Sequence, residues 1–342
     1  MPSTMPDATH DPTELRARAR ANAQKRIIVV LGPTAGGKSD LAMELARRYG
    51  GELLSADSMQ VYRGMNIGTA KPTRAEQAEI PHHGIDLIEA SAEGFTVASW
   101  LEIAERALLD IQSRQRVPIV VGGTNLYIRA FLEGLDEAPA ADAVFRAQLE
   151  AVASTELHER LCASDPAAAA RLHPNDRRRV IRALEIAHTT GDSASARRTA
   201  WDDAGVVPRH DNLFTVTLDW PVELINRRIN ARVRRMFDEG FVEEVAALLG
   251  HGGLSVQARA ACGYEELIGA LTAFDGSLRP PHAADLELAA ERTKIRSRRL
   301  AKQQRTWLKR FRGLQPSVSL PCSQESTAAS LADACDAAIA QL

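Results

Sequence analysis

Cysteine is scarce in this chain of 342 residues, and the four present follow no pattern. Cys162, Cys262, Cys322 and Cys335 show no C-x-x-C spacing. That speaks against a zinc site or a disulfide framework and fits a reducing compartment. A continuous apolar run of about 18 residues is also missing, so no membrane span is expected. Residues 1–24 lack the apolar core of a signal peptide. They carry Pro, Asp and Thr, then Arg16, Arg18 and Arg20, and read as a disordered tail, too acidic for a transit peptide. The cytoplasm is the default location and a monomer the default state. Net charge is only −2, so bulk charge gives no reason to expect a nucleic-acid partner. A clean Walker-B strand, apolar and ending in Asp, is missing too. Val117–Val121 runs into Gly122-Gly123-Thr124, and Phe214–Asp219 alternates apolar with polar as a half-exposed strand would.

The opening motif is more informative. Ile27 to Leu31 is a short β-branched run that reads as a buried parallel strand. Gly32, Pro33, Thr34, Ala35, Gly36, Gly37, Lys38 and Ser39 then match G-x-x-x-x-G-K-[ST]. Leu41, Ala42, Leu45 and Ala46 follow on one helical face. Strand, glycine loop and helix stand in the order a phosphate cradle requires. Backbone N–H groups and the helix N-terminus attract an anion. Lys38 adds a mobile charge, and the Ser39 hydroxyl can ligate Mg²⁺.

Further along, helix and strand patterns alternate through about residue 134, which points to an α/β parallel sheet. From about 142 to 202 only helical patterns and polar joints appear. A strand pattern returns at Phe214–Leu218, and long helical patterns follow. We therefore expect a P-loop NTPase-like parallel-sheet core with a helical insertion domain. The core's first part would span 25–135, the insertion 136–210 and the second part 211–312, with 313–342 as a tail bearing one short helix. Charge is clustered despite the near-neutral total. Ten Lys/Arg and no Asp/Glu lie between Arg292 and Arg312, and a second cluster is Arg177-Arg178-Arg179 with Arg182. Such clusters either contact phosphate backbones or form solvated helix faces.

Asp57 immediately follows the second strand and so belongs at the carboxyl end of the sheet, where open α/β sheets bind ligands. An acid there can hold Mg²⁺ through water, orient an acceptor, take a proton from it, or merely cap a turn. Adjacent His82 and His83 lack further ligand spacing and read as structural. Trp307 reads as packing.

Five stretches in order resemble one family. They are L-G-P-T-A-G-G-K-S, S-A-D-S-M-Q-V-Y-R-G-M-N-I-G-T-A-K-P, P-H-H-G-I-D, V-G-G-T-N-L-Y and L-A-K-Q-Q-R-T-W-L. Together they resemble the bacterial tRNA dimethylallyltransferases across about residues 26–312. Gly36, Gly84 and Asn125 depart from the usual residues, and Ala-Ala-Cys-Gly-Tyr stands at 260–264 for R-A-x-G-Y. The resemblance implies transfer of a dimethylallyl group from its diphosphate to the 6-amino nitrogen of the adenine 3′ of a tRNA anticodon. The diphosphate would then be the leaving group, with no ATP consumed. Asp57 resembles the general base, and Thr34 and Arg232 resemble contacts to the leaving group, although residue types alone do not separate Arg232 from Arg228 or Arg234. Ser58, Met59, Gln60 and Thr124 would sit near the flipped base. Arg146, Arg178, Arg179, Val180, Ile181 and Arg182 in the insertion, and Gly263, Tyr264, Arg298 and Lys302 in the core, fall where the family touches the tRNA anticodon stem-loop. The alternatives are an adenylate isopentenyltransferase acting on free AMP, ADP or ATP, a P-loop small-molecule kinase, and a non-catalytic tRNA-binding protein.

Overall fold

The computed structural model describes residues 12–135, 139, 142–196, 208–273, 275–311 and 313–342. The chain divides into two compact units, residues 1–132 together with 208–342, and residues 133–207. Six strands belong to the first unit: β1 (Ile27–Leu31), β2 (Gly51–Ser55), β3 (His82–His83), β4 (Val117–Val121), β5 (Leu213–Asp219) and β6 (Ser317–Pro321). They form one sheet of order β3-β2-β4-β1-β5-β6, with every pairing parallel. Among the described residues, α1 (Pro12–Ala23), α2 (Lys38–Tyr49), α3 (Arg74–Glu79), α4 (Val97–Ser113) and α5 (Asn125–Glu133) come first. The second unit then supplies α6 (Ala143–Glu150), α7 (Ser154–Ser164), α8 (Pro166–Arg171) and α9 (Arg177–Thr190). Next are α10 (Val222–Asp238), α11 (Phe241–Gly250), α12 (Val256–Arg259), α13 (Tyr264–Leu271), α14 (Ala283–Phe311) and α15 (Ala328–Ile339).

The central strands are apolar because helices cover both faces of a parallel sheet. β1, β2 and β4 are buried along their whole length. β1 lies between β4 and β5, while the next strand in the chain, β2, pairs on the far side of β4. That reversal of strand order brings the loops after β1, β2 and β4 together at the carboxyl ends, where such sheets open a crevice. β5 corrects the sequence reading. It is no half-exposed strand: it pairs with β1 and β6 on its two edges, and Thr215 and Thr217 are buried along with its apolar residues, as in a sheet covered on both faces.

The C-terminal segment is no tail. β6 adds to β5 in parallel, from Thr215↔Ser317 to Asp219↔Pro321. α15 then buries Leu331, Ala332, Cys335 and Ile339 in the core. Residues 12–24 are likewise structured rather than disordered, whereas residues 1–11 of the expected N-terminal tail lie outside the described residues. α1 presents Ala19 and Ala23 to the core, and its polar residues tie it to the C-terminus. Arg18 Nη2 donates to Ala340 O at 3.0 Å and Asn22 Nδ2 to Ile339 O at 2.9 Å. Among the described residues no helix is long and apolar enough to cross a membrane.

The second unit has its own core of Leu149, Leu157, Leu161, Val180, Ile181 and Leu184. Pro166 starts α8 behind Asp165, whose carboxylate accepts from Ala168 N at 2.9 Å. The fully buried Glu185 accepts from Asp142 N at 2.7 Å and Arg146 Nη2 at 2.8 Å.

Asp336 fastens the C-terminal helix to α2. It is buried, and accepts from Arg48 Nη1 at 2.6 Å and Tyr49 Oη at 2.7 Å. Removing one partner of a buried charged pair leaves the other uncompensated. We predict that Asp336→Ala lowers unfolding stability by about 3 kcal/mol in urea titration. A loss under about 0.5 kcal/mol, the usual size for an indifferent surface position, would show that α15 is not fastened this way.

Candidate active site

The strand β1 delivers the glycine loop to the start of α2. Gly37, at φ 81°, is the N-cap of that helix and offers it no side-chain cap. The first-turn N–H groups therefore keep no partner inside the helix, and the helix dipole adds to their pull on an anion. Lys38 Nζ folds back over the loop and donates to Pro33 O at 2.8 Å. α10 braces the loop from one side. Arg232 Nη1 donates to Thr34 Oγ1 at 3.0 Å, and Arg228 Nε donates to Ala35 O at 2.8 Å. Trp220, just after β5, donates its Nε1 to Gly36 O at 3.0 Å, with the Arg228 guanidinium 4.6 Å above its ring. At Gly36 a Cβ would lie only 2.8 Å from Pro33 O, so glycine suits this tight turn.

A second brace comes from α14. The buried Gln304 accepts from Thr34 N at 2.7 Å and donates its Nε2 to Gly123 O at 2.8 Å. One amide side chain thus joins the loop after β1 to the loop after β4. Its close approach requires glycine, since a Cβ at Gly123 would lie 2.4 Å from Gln304 Nε2. Thr124 completes the ring of loops. Its Oγ1 accepts from Ser58 N at 2.8 Å and donates to Ser58 Oγ at 3.1 Å. Asp57 Oδ1 accepts from Met59 N at 2.9 Å, so the carboxylate caps its own turn and also lines the site.

These loops and helices enclose a cavity of about 420 Å³. Thr34, Asp57, Ser58, Thr124 and Arg232 stand in its polar wall, while Met59, Ile229, Val233 and Met236 supply apolar surface. Among the described lining residues Asp57 is the one acid. Arg232 in the lining and Lys38 in the adjoining loop outnumber it. Burial and then the Arg232 guanidinium lower the pKa of Lys38, Asp57 opposes both, and the net value is about 8. Burial also lowers the pKa of Arg232, again against Asp57. The site therefore holds more positive than negative charge in a poorly hydrated place, a state that an incoming anion relieves.

Similarity agrees with this geometry. The family model described as IPP transferase matches residues 60–311, and one described as Isopentenyl transferase matches residues 25–84. The chain belongs to the IPP transferase family. A tRNA dimethylallyltransferase of Anaeromyxobacter dehalogenans is 46% identical over 296 residues, covering 84% of this chain and 93% of the relative. Another, from Geobacter sulfurreducens, is 42% identical over 305 residues, covering 85% and 91%. The crystal structure of a tRNA isopentenylpyrophosphate transferase from Bacillus halodurans is 35% identical with a TM-score of 0.64, covering 93% of this chain and 97% of that one. A eukaryotic dimethylallyltransferase acting on tRNA gives 27% and 0.71, covering 87% and 74%.

The expected site residues fall into three groups. Thr34, Asp57, Ser58, Met59, Thr124 and Arg232 line one cavity. Arg232 is separated from Arg228, which braces the loop, and from the exposed Arg234. A second group is held by partners within its own unit. Gln60 is half-buried: it accepts from Ser55 Oγ at 2.8 Å and donates to Ala70 O at 3.2 Å. Tyr264 is fully buried and donates its hydroxyl to Glu244 at 2.7 Å, while Gly263 packs against Phe241. Val180 and Ile181 are core residues of the second unit, and Arg146 and Arg182 both pair with Glu185 there. Their places are set by packing and charge pairing inside the unit, and a surface contact is not available to the two apolar side chains. The third group is exposed and basic: Arg178 and Arg179 on α9, and Lys302 on α14. Arg298 is half-buried and donates to Asn230 Oδ1 at 3.1 Å. His82 and His83 bond to Ile80 O and Glu52, and Trp307 stacks on Phe311. Among the described residues no three His, Cys, Asp or Glu side chains gather into a metal-ligating group.

The sequence reading placed Gln304 only at the end of a basic segment facing tRNA, from Arg298 to Gln304, and assigned no role to Glu244. Glu244 accepts from the consecutive N–H groups of Asn66, Ile67 and Gly68 at 2.8, 2.7 and 3.2 Å, which fixes the loop carrying Gly68 and Thr69 into the cavity wall. A glutamine in a basic helix and a glutamate in an amphipathic one carry no local signal of such distant bonds. We predict that Gln304→Ala weakens inorganic pyrophosphate binding about tenfold, because Thr34 N and Gly123 O lose a buried partner. Unchanged affinity in calorimetry would mean that the loops hold their shape without it.

Proposed function

We propose that the chain transfers the dimethylallyl group of dimethylallyl diphosphate to the 6-amino nitrogen of the adenine 3′-adjacent to a tRNA anticodon, releasing pyrophosphate. The observation that carries the reading is that the phosphate loop, Arg232 and Asp57 share one cavity with an apolar wall. An ordinary phosphate site has no use for that wall, and a hydrocarbon diphosphate needs both. Support for the tRNA acceptor comes from relatives named for it at 41% to 46% identity.

The chemistry follows from the charges. The C1–O bond of the donor breaks and its electron pair leaves with pyrophosphate. First-turn amides of α2, Lys38 and Arg232 stabilise that charge where it develops. The adenine nitrogen forms the new C1–N bond, and its proton passes to Asp57 as general base. The adenine leaves its stack to reach the cavity, which costs least in a single-stranded loop. Magnesium fits as an accompanying ion. The Ser39 hydroxyl stands exposed at the start of α2, and Mg²⁺ takes few protein ligands beside phosphate oxygens and water. Bound by Ser39 and the donor, it would neutralise charge on the leaving group. The basic α14 face and the exposed Arg178 and Arg179 suit an RNA backbone. A tRNA acceptor suits a cytoplasmic enzyme.

The test is label transfer from radioactive dimethylallyl diphosphate, with Mg²⁺, to unmodified tRNA and to AMP in parallel. Label at the adenine beside the anticodon is expected. Label in AMP alone would make the enzyme an adenylate prenyltransferase, and ATP turnover with an alcohol acceptor would make it a kinase. Asp57→Ala should lower turnover on tRNA by about 100-fold while tRNA affinity changes by only a few-fold. Near-normal turnover would remove Asp57 from the proton transfer.

A further inference from the structure

The α10 face that presents Arg232 to the cavity also presents Ile229, Val233 and Met236. Positions i, i+3, i+4 and i+7 share one side of a helix. This face has a phosphate end. Arg228 and Arg232 bond to the loop residues Ala35 and Thr34 there. Its other end is blind. Met236 is followed by Gly240 and Phe241, and Phe241 presses on the loop that closes the cavity. A Cβ at Gly68 would lie 2.3 Å from Phe241 and 2.5 Å from Tyr264. Both rings are fully buried and meet edge to face, their centroids 5.0 Å apart. Glu244 holds the same loop through its three N–H bonds and takes the Tyr264 hydroxyl. No slack remains behind this wall.

We propose that Met236 sets the length of the transferred group and limits it to a single five-carbon unit, a reading that rests on the prenyl transfer above. Four residues along a helix rise about 6 Å, so from Arg232 at the diphosphate to Met236 there is room for one branched unit and not a second. Gly68, Ala260 and Ala261 also line the cavity, but they have no side-chain length to give up. Met236 does, and its removal deepens the pocket along the line of the hydrocarbon.

The test offers one tRNA with dimethylallyl or geranyl diphosphate and compares kcat/KM for the two donors. The wild-type enzyme should use the five-carbon donor and discriminate against the ten-carbon one. Met236→Ala should shift the ratio toward geranyl by about tenfold or more, the scale on which apolar pockets read length. Met236→Leu, a milder core substitution, should shift it the same way by less and serves if the alanine variant does not fold. The inhibition constant of geranyl diphosphate against dimethylallyl transfer should fall in the same order. A variant that transfers the dimethylallyl group with an unchanged ratio would overturn the assignment. A wild-type enzyme that transfers neither group to tRNA would instead contradict the functional reading beneath it.

Discussion

Two half-buried cations facing one carboxylate are the constraint on which the rest of the site depends. Lys38 and Arg232 would not stand side by side away from bulk water without cost, and Asp57 offsets only part of it. The surplus charge is tolerable because the loop gives each cation a temporary neutral partner, Pro33 O for Lys38 and the Thr34 hydroxyl for Arg232. Those partners are the ones an anion would displace. The site is thus held in the shape its ligand needs before the ligand arrives, the condition under which fixed dipoles stabilise a developing charge most.

Holding it so takes the whole of the first unit. The sheet brings three loops to one edge, but the loops are joined by side chains from distant helices. Gln304 ties the first loop to the third, Thr124 ties the third to the second, and Arg228 with Trp220 closes the near side. Glu244 plays the same part for the wall around Gly68. The segment after residue 312 contributes at one remove. β6 covers the edge of β5, and α15 packs the face of α2, the helix that bears the phosphate loop.

Legibility followed the range of the interactions. β1, the glycine loop, α2 and Asp57 could be read because local pattern and local geometry coincide in them. The long helices of the insertion and of the second half showed themselves by apolar stripes. β6 did not, since Ser317, Val318 and Ser319 form a short, partly exposed edge with little apolar run. α1 did not because Leu15 is the one large apolar residue among the alanines that face its neighbours, too little for a visible stripe. β5 misled because threonines can be buried in a central strand. Within the site, residue types located Asp57 and Lys38, but whether an arginine or glutamine points inward depends on packing from other parts of the chain. Tyr264 is buried for that reason, while Arg146, Arg182 and Gln60 are held by internal partners and stay partly exposed. Gln304 and Glu244 act over long chain separations that leave no local trace.

The surplus charge is most directly tested by counting protons taken up when inorganic pyrophosphate binds. Calorimetry in two buffers of different ionisation enthalpy gives that count, and Lys38→Met supplies the background from the ligand's own titration. With its pKa near 8 in the free site, Lys38 is mostly neutral above that value and regains its proton when the anion arrives. Wild type should then take up about three-quarters of a proton more than Lys38→Met at about pH 8.5, and little more at about pH 7. Equal uptake by the two proteins at both values would contradict the claim that Lys38 waits in the cavity as a strained cation for a diphosphate.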